Sequence, residues 1–397
     1  MALGWIDFSK TERSKILNVL DLLSESDTTD ELGISPVRDG FANLFFPGTS
    51  TIQTRAKYFF IVPYALKDLE LNDNIADPKQ MLKTLDDIEK KCAEILIKSS
   101  SDKEGIIGNR AINNGRWLKR TPSDIYWSGL KNYQIMKEQI SLTEYLRSVC
   151  AVKLTRKSNM LHRKKKEESS ESDDHDAGDS IDLQFWNIPY NKDWMDNLQM
   201  KLTREESSFL KDRIIKSHPD SMMAFIIKNK SQVLNLNSFH EFGKIINLFP
   251  DEIQKDYELA IKFSCFIYVL RIVYNIIVSD GKNETANDEW LKVSDKLGHY
   301  ADLNIDLIFN RLQISGKGRL HDFLCNEKKW MIENNIESLK NEIIKRESEI
   351  KGKSRARTCH PGQFETNGWF CGGLQHYRFL NAKTIIKDIF DSEGTDA

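Results

Sequence analysis

Residues 30–65 concentrate charged, hydroxyl and aromatic side chains whose spacing could bind a phosphate group. The candidate ligand-binding residues of this stretch all carry charged or hydrogen-bonding groups: Arg38, Asp39, Thr49, Ser50, Thr51, Arg55 and Tyr58. Arg55 and Tyr58 are three residues apart, so they would share one face of a helix. The hydroxyls after the Pro-Gly turn would begin that helix, and its free amides together with an arginine fork favour an anion. The alternative is that Asp39 pairs with Arg55 and that the hydroxyls only cap the helix.

A second candidate site lies in residues 115–127, where basic and aromatic residues alternate. We expect a ligand-binding surface that contains Arg116, Trp117, Tyr126 and Trp127. Basic side chains neutralise backbone phosphates and aromatic rings stack on bases, so this composition favours a nucleic-acid strand or a nucleotide. The alternative is an aromatic core cluster with solvated basic residues at its edge.

The C-terminal part of the chain holds four residues that could ligate zinc through sulfur and imidazole: Cys359, His360, Cys371 and His376. Adjacent Cys and His side chains cannot easily point at one ion, and the stretch has no Cys-x-x-Cys pair. We therefore expect packed cysteines and a surface histidine here, and no metal. The sequence identifies no cofactor.

Established catalytic motifs are absent from the sequence. The chain has no Gly-x-Ser-x-Gly, His-Glu-x-x-His or Gly-x-Gly-x-x-Gly motif, and residues 30–65 do not match a phosphate-binding loop of the Gly-x-x-x-x-Gly-Lys-Ser/Thr type. A nuclease or nucleotide hydrolase would have to use carboxylates such as Asp30 and Asp39 with a divalent metal. That enzyme is an alternative hypothesis to a binding protein.

Length and composition indicate a mainly α protein with few or no strands. A chain of 397 residues exceeds one ordinary core, and hydrophobic residues recur at helical spacing. The net charge of −2 argues against a globally basic nucleic-acid coat but permits a local basic groove. The N-terminus does not resemble a secretory signal, and the most apolar segment, 263–278, is interrupted by Arg271. Six scattered cysteines do not form a disulfide framework, so we expect a cytoplasmic protein with no membrane partner.

Local signals predict the helices that must position the candidate residues. Proline at the first helical position begins helices near residues 36, 78 and 122, and Ser9 with Glu12 forms a capping box for a helix that ends near Leu23. Residues 251–279 are apolar on nearly every side over their second half and predict a central, buried helix. Further helical patterns cover residues 51–61, 141–152, 203–216, 221–230, 238–248, 287–297, 305–312, 320–351 and 382–390.

Residues 153–182 change composition sharply. Residues 153–166 are basic, and residues 167–182 are rich in Glu, Asp and Ser with almost no apolar content. Such a stretch cannot bury enough apolar surface to offset its ordering entropy, so we predict a disordered charged linker at 161–183. The basic part could clamp phosphates, and the acidic part could mask it. The predicted organisation is an N-terminal helical domain (1–160), this linker, a C-terminal helical domain (184–352) and an irregular segment with a closing helix (353–397).

Several motifs resemble one uncharacterised bacterial family. The motifs are Leu3-Gly-Trp-Ile-Asp-Phe-Ser9, Asp30-Glu-Leu-Gly-Ile, Arg38-Asp39, Phe46-Pro-Gly-Thr-Ser-Thr-Ile-Gln-Thr-Arg-Ala-Lys-Tyr58, Pro122-Ser-Asp-Ile-Tyr-Trp127 and Tyr377-Arg378. They are similar to the domain of unknown function family 6361, over nearly the full chain. The resemblance implies no particular activity. It does imply a gene neighbourhood of mobile-element and defence genes, which favours a DNA-related role.

We therefore predict a bacterial nucleic-acid- or phosphate-ligand-binding component of a DNA-transacting, phage-defence-related system. Two alternatives stay open. One is the metal-dependent nuclease or nucleotide hydrolase described above. The other is a helical scaffold that binds a protein partner, encoded by a neighbouring gene, through its C-terminal half.

Overall fold

The computed structural model describes residues 30–167, 184–229, 232–316, 318–365 and 367–393. The predicted helix between Ser9 and Leu23 lies outside these ranges, and so do the motif at residues 3–9 and the acidic residues 168–182. The backbone of the basic run is described as far as Glu167.

Within these ranges the protein consists of α-helices and short 3₁₀ helices, and the one pairing of extended residues is an isolated bridge between Met136 and Trp186. The predicted mainly α fold is confirmed. In chain order the helices are α1 (Ser35–Phe45), α2 (Tyr58–Leu71), α3 (Pro78–Ser99), α4 (Asn109–Asn113), α5 (Pro122–Asn132), α6 (Leu142–Glu167), α7 (Arg204–Ser217), α8 (Met222–Asn229), α9 (Asp251–Val278), α10 (Glu284–Val293), α11 (Leu297–Tyr300), α12 (Ile305–Arg311), α13 (Arg319–Ile332), α14 (Ile336–Lys351) and α15 (Phe379–Glu393).

Three helix starts that we predicted from proline are confirmed, and capping residues accompany two of them. Proline occupies the first turn of α1, α3 and α5. The Asp77 side chain accepts a hydrogen bond from the Gln80 amide at 2.9 Å and caps α3. Thr121 and Asp124 form a capping box at the start of α5. These side chains satisfy amides that the first helical turn leaves without partners.

Two predicted helices differ from the observed ones because turn conformations interrupt them. The helical pattern at 320–351 forms α13 and α14, separated by Asn334 in the left-handed region (φ +52°) and by Asn335, whose side chain caps α14. The pattern at 238–248 forms two 3₁₀ helices, Phe239–Lys244 and Ile246–Leu248, instead of one α-helix. Asparagine tolerates the left-handed region better than other residues with side chains, so the break at Asn334 costs little.

Two further boundaries of the prediction are wrong. The helix expected from residue 51 begins only at Tyr58, and residues 49–57 are irregular. At the charged run, α6 continues to Glu167, so the backbone of residues 161–167 is helical where we expected a disordered linker to begin. Lysine and arginine are good helix formers, which accounts for the extension.

The described residues separate into two compact units. The first unit comprises residues 47–232 and 381–393, and the second unit comprises residues 30–46 and 233–380, within the described ranges. Each unit therefore combines segments that are distant in sequence, whereas our predicted domains are consecutive stretches.

The first unit is built around α2. Every residue from Tyr58 to Leu66 is buried, and the helix packs against α3 and α5. The Phe59 ring contacts the rings of Tyr126 and Tyr133 at centroid distances of 5.0 and 5.2 Å. A helix that is apolar on all sides is stable only when other elements cover every face, so α2 positions the segments that surround it.

The second unit is built around α9, and the predicted central buried helix is confirmed. Among the described helices, α9 alone is long and apolar enough to cross a membrane by length and composition, and 72% of its most apolar window is buried within the protein. An aromatic cluster lies beside it: Phe41, Phe45, Phe239, Phe263 and Tyr377. The cluster joins α1 to segments more than 190 residues later in the chain.

Candidate functional site

Arg38 and Asp39 lie in α1 of the second unit. Arg38 donates to both carboxylate oxygens of Asp39 at 3.0 and 3.1 Å, and Arg378 approaches the same carboxylate at 3.4 Å. Arg378 also donates to the Asn43 amide oxygen at 2.8 Å. Asp39, only 7% exposed, is thus held by two arginines of its own unit, whereas the alternative considered for this stretch paired it with Arg55. The motifs Arg38-Asp39 and Tyr377-Arg378 meet in this contact.

Asp30 and Asp39, the carboxylates of the enzyme alternative, both have internal roles. Asp30 accepts a hydrogen bond from the Ser35 amide at 2.6 Å at the start of α1, and Asp39 is occupied by arginines. Within the described ranges no group of three or more His, Cys, Asp or Glu residues is placed to hold a metal ion.

Arg55 lies in the first unit and pairs with Asp388 of α15. The Arg55 Nε and Nη2 atoms lie 2.9 and 2.8 Å from the Asp388 carboxylate, which also accepts a hydrogen bond from the Ala56 amide at 2.8 Å. Burial alone would lower the pKa of Arg55, but the hydrogen bond and charge of Asp388 outweigh it and raise that pKa. Local sequence carried no signal for this partner, because Asp388 lies 333 residues away.

The hydroxyls of Tyr58 and Tyr126 are engaged inside the first unit. The Ile107 amide donates to the Tyr58 hydroxyl at 2.8 Å. The Tyr126 hydroxyl accepts from the Thr54 and Arg55 amides at 2.9 and 3.0 Å and donates to the Arg55 carbonyl at 2.8 Å. Burial raises the pKa of both phenols, so they remain neutral hydrogen-bonding groups. They hold irregular backbone in place of regular secondary structure.

The turn at residues 47–51 does not lie at a helix N-terminus, since α2 begins at Tyr58. Thr49 and Ser50 are buried, and Thr51 is exposed. Gln53 fills the turn from within: its amide donates to the Gly48 carbonyl at 3.2 Å and accepts from the Ser50 amide at 3.2 Å. Ligand binding by these hydroxyls stays a prediction, but the helix-terminal amides that motivated it are not there.

Trp127 and Trp117 occupy different environments in the first unit. Trp127 is buried and its indole nitrogen donates to the Ile140 carbonyl at 2.9 Å. Trp117 is half-buried and covers Gly108, whose positive φ of +92° brings the backbone close to the indole. Of the two tryptophans, Trp117 therefore has ring surface left for a ligand.

Residues 109–120, which we call the cationic segment, carry four cations, and one of them, Arg116, is a predicted binding residue. Arg110, Arg116 and Lys119 are exposed, and Arg120 is half-buried. Among the described residues, none of these four side chains forms an ion pair or a hydrogen bond. Lys57 of the same unit, in contrast to these four residues, is buried and paired. Its ammonium lies 2.8 and 2.7 Å from the two carboxylate oxygens of Glu206. The cationic segment can thus accept an external anion without first breaking an internal pair.

The basic run on α6 divides into residues with different roles. Lys153 is buried and donates to the carbonyls of Leu69, Asn72 and Ile75 at 2.5, 2.7 and 3.0 Å. Burial lowers the pKa of this ammonium. Lys153 is therefore not available to clamp phosphates, contrary to the expectation for the run as a whole, whereas Lys157 is exposed.

The four possible zinc ligands have separate partners in the second unit. The Cys359 sulfur lies 3.1 Å from the Ser348 hydroxyl, and the His360 ring lies 3.2 Å from the Lys353 carbonyl. The Phe239 amide lies 3.5 Å from His376 Nδ1. Cys371 lies beside the guanidinium of the buried Arg271, and burial raises the pKa of its thiol to about 12. Because the four side chains contact different residues, the structure agrees with the expectation that the cysteines are packed.

Comparison with protein families matched residues 1–156 to a family of unknown function (DUF6361). The resemblance drawn from the sequence is confirmed over these residues, and the match ends well before the Tyr377-Arg378 motif. Comparison with curated proteins and with solved structures found no match for this chain.

Proposed function

We propose that this protein, whose residues 1–156 match a family without an established activity, binds nucleic acid through the cationic segment of its first unit. The observation that carries the proposal is the exposure of Arg110, Arg116 and Lys119 without a carboxylate partner among the described residues. Phosphates of a nucleic-acid backbone would supply the missing counter-charge.

The energetics favour a phosphate polymer over an isolated carboxylate. Neutralising several phosphates releases condensed counterions, and this term supplies most of the sequence-independent affinity for nucleic acid. The net charge of the chain is −2, so the attraction must come from this local group and not from the whole surface. Trp117 adds a half-buried indole whose exposed part can stack on one base. The arrangement suits backbone contacts and carries no signal for reading a base sequence.

Fluorescence anisotropy with labelled single-stranded and duplex DNA, across a series of salt concentrations, tests the proposal. We expect affinity that falls steeply with salt, and the Arg116→Ala/Lys119→Ala variant should reduce the slope of log affinity against log salt by about two. The matched control is Lys83→Ala/Lys90→Ala, which removes the same charge from exposed positions of α3 in the same unit. Equal slopes for the two variants, or no binding at low salt, would overturn the proposal.

The wider role, in a DNA-transacting or phage-defence system, is a further part of the proposal and rests on the family resemblance. It is tested in cells by comparing phage survival for the intact gene and for the Arg116→Ala/Lys119→Ala variant. Loss of protection in the variant at unchanged protein level supports the link. Full protection in the variant contradicts it.

A further inference from the structure

The second unit contains a groove of about 670 Å³ that the proposed nucleic-acid site does not use. It runs along the first turns of α9, beside the 3₁₀ helix Ile246–Leu248 and α11. A volume of this size is typical of pockets for small organic molecules. The chemistry of its lining decides which molecules would fit.

The groove offers apolar and aromatic surface to a ligand. Its lining includes Tyr257, Tyr300, Ile261 and the half-buried thiol of Cys265. The Tyr257 hydroxyl donates to the His240 carbonyl at 2.8 Å and its ring packs on Phe239 at 5.3 Å, so this residue presents only a small part of its ring to the groove, and the half-buried Tyr300 is the more accessible aromatic residue. Aromatic rings of this kind bind both flat apolar groups and cations.

The charges of the lining are unequal. Three carboxylates, Asp251, Glu258 and Asp302, face two lysines, which leaves one negative charge. The Lys262 ammonium pairs with two of these carboxylates, at 3.2 Å from Glu258 and 3.4 Å from Asp302. Lys255 lies 2.9 Å from Glu252, an acid outside the lining.

Within the described part of the chain, the carboxylate of the lining that has no ion-pair partner is that of Asp251. It is exposed in the first turn of α9 and forms no ion pair or side-chain hydrogen bond among the described residues. Both lysines of the groove are thus committed to acids, while one carboxylate is not. Apart from the imidazole of His299, an anionic ligand would meet no unpaired basic group in the described part of the groove, and a cationic ligand would meet an unpaired carboxylate.

We propose that the groove binds an organic cation with an apolar or aromatic body. The body would pack on Tyr257, Tyr300 and Ile261, and the cation would lie between the aromatic rings and the carboxylates of Asp251 and Glu258. This site is independent of the cationic segment, whose ligand carries the opposite charge.

Cys265 provides a reporter within the groove. The full-length protein is treated with iodoacetamide, and alkylation of Cys265 is followed by mass spectrometry of its peptide. Three probes that share one ring are compared: benzylamine as the cation, benzyl alcohol as the neutral form and benzoate as the anion. We expect protection of Cys265 to be greatest with benzylamine and least with benzoate, and the difference between them to narrow as salt is raised.

The variant Asp251→Asn/Glu258→Gln removes the negative charge while it keeps the shape of the groove. We expect it to weaken protection by benzylamine about two- to tenfold and to leave protection by benzyl alcohol unchanged. The matched control is Glu333→Gln/Glu337→Gln, which removes two exposed acids of the same unit that do not line the groove. Equal protection by all three probes, or protection by none, would overturn the proposal.

Discussion

Arg55 shows how the role of a charged residue depends on a partner that its own sequence neighbourhood does not reveal. The Arg55 side chain is 21% exposed and forms a two-point contact with Asp388, whose side chain is 5% exposed. Removing one member of a buried pair leaves an uncompensated charge and typically costs about 3–5 kcal/mol, less where one partner still touches water. A phosphate that replaced Asp388 on Arg55 would leave this acid buried without its partner. Arg116, which has no such partner in the described part of the chain, is the better candidate for a ligand contact.

Glu327 is the residue from which we predict a pH dependence of stability. It is fully buried in α13, and neither carboxylate oxygen has a hydrogen-bond partner among the described residues. Burial, and to a smaller extent the charge of Glu342, raises the pKa of Glu327 well above its ordinary value of 4.5. The folded protein therefore keeps a proton that the unfolded chain releases. The resulting stabilisation is complete below the ordinary pKa and is lost as pH rises through the raised pKa.

We predict that Glu327→Leu raises the free energy of unfolding at mildly alkaline pH by about 1–3 kcal/mol, since the apolar side chain has no polar group to desolvate. Urea unfolding at several pH values measures the effect, and the variant should show a flatter pH profile than the wild type. Glu333→Leu, at an exposed position just after α13, is the control and should change little. A Glu327→Leu protein that is less stable at every pH would show that the carboxyl has a role these contacts do not reveal.

At the scale of elements, Lys153 connects α6 to the C-terminal end of α2. The last carbonyls of a helix lack partners within the helix, and a cation near them also interacts favourably with the helix dipole. Lys153 supplies hydrogen bonds and a positive charge at this helix end, because its ammonium donates to three carbonyls of residues 69–75. A run of basic residues that looks uniform in the sequence thus contains both a buried capping residue, Lys153, and an exposed one, Lys157.

We predict that Lys153→Met lowers the free energy of unfolding by about 2–3 kcal/mol, because buried carbonyls lose a charged donor. Lys157→Met, one turn later on the same helix at an exposed position, should change it by less than about 0.5 kcal/mol. Chemical denaturation gives both values. Hydrogen exchange should become faster at residues 69–75 in the first variant only, and similar losses in the two variants would contradict the capping role.

At the scale of the molecule, each compact unit is assembled from segments that are far apart in the chain. In the second unit α1 contributes Phe41 and Phe45 to the aromatic cluster, where Phe45 lies 5.0 Å from Phe239 between ring centroids. Buried aromatic side chains carry a large share of the energy of a core. Residues 233–380 alone would leave the partners of these rings exposed.

We predict that residues 233–380 expressed alone do not unfold cooperatively, and that fusing residues 30–46 ahead of them through a Gly-Ser linker restores a cooperative transition. Circular dichroism during thermal and urea unfolding measures this. The fused protein with Phe41→Ser and Phe45→Ser is the control and should behave like residues 233–380 alone. A cooperative transition in residues 233–380 by themselves would show that α1 is dispensable for this unit.

Local patterns determined much of the secondary structure. Prolines at helix starts, the capping residues Asp77 and Thr121, and the apolar surface of α9 each predicted an element that the structure contains. These signals depend on residues within a few positions of one another, so a single sequence carries them. The helix expected from residue 51 is wrong because residues 49–57 are held by Gln53, Tyr126 and Asp388, and two of these lie far along the chain.

The sequence by itself determined that this protein is mainly α, that it resembles one family, and that basic and aromatic residues concentrate near Trp117. Only the tertiary structure decided which of those residues are free to act. It buried Tyr58, Tyr126 and Trp127 and left Arg116 exposed. The physical reason is that helix formation depends on neighbours in sequence, whereas burial and ion pairing depend on neighbours in space.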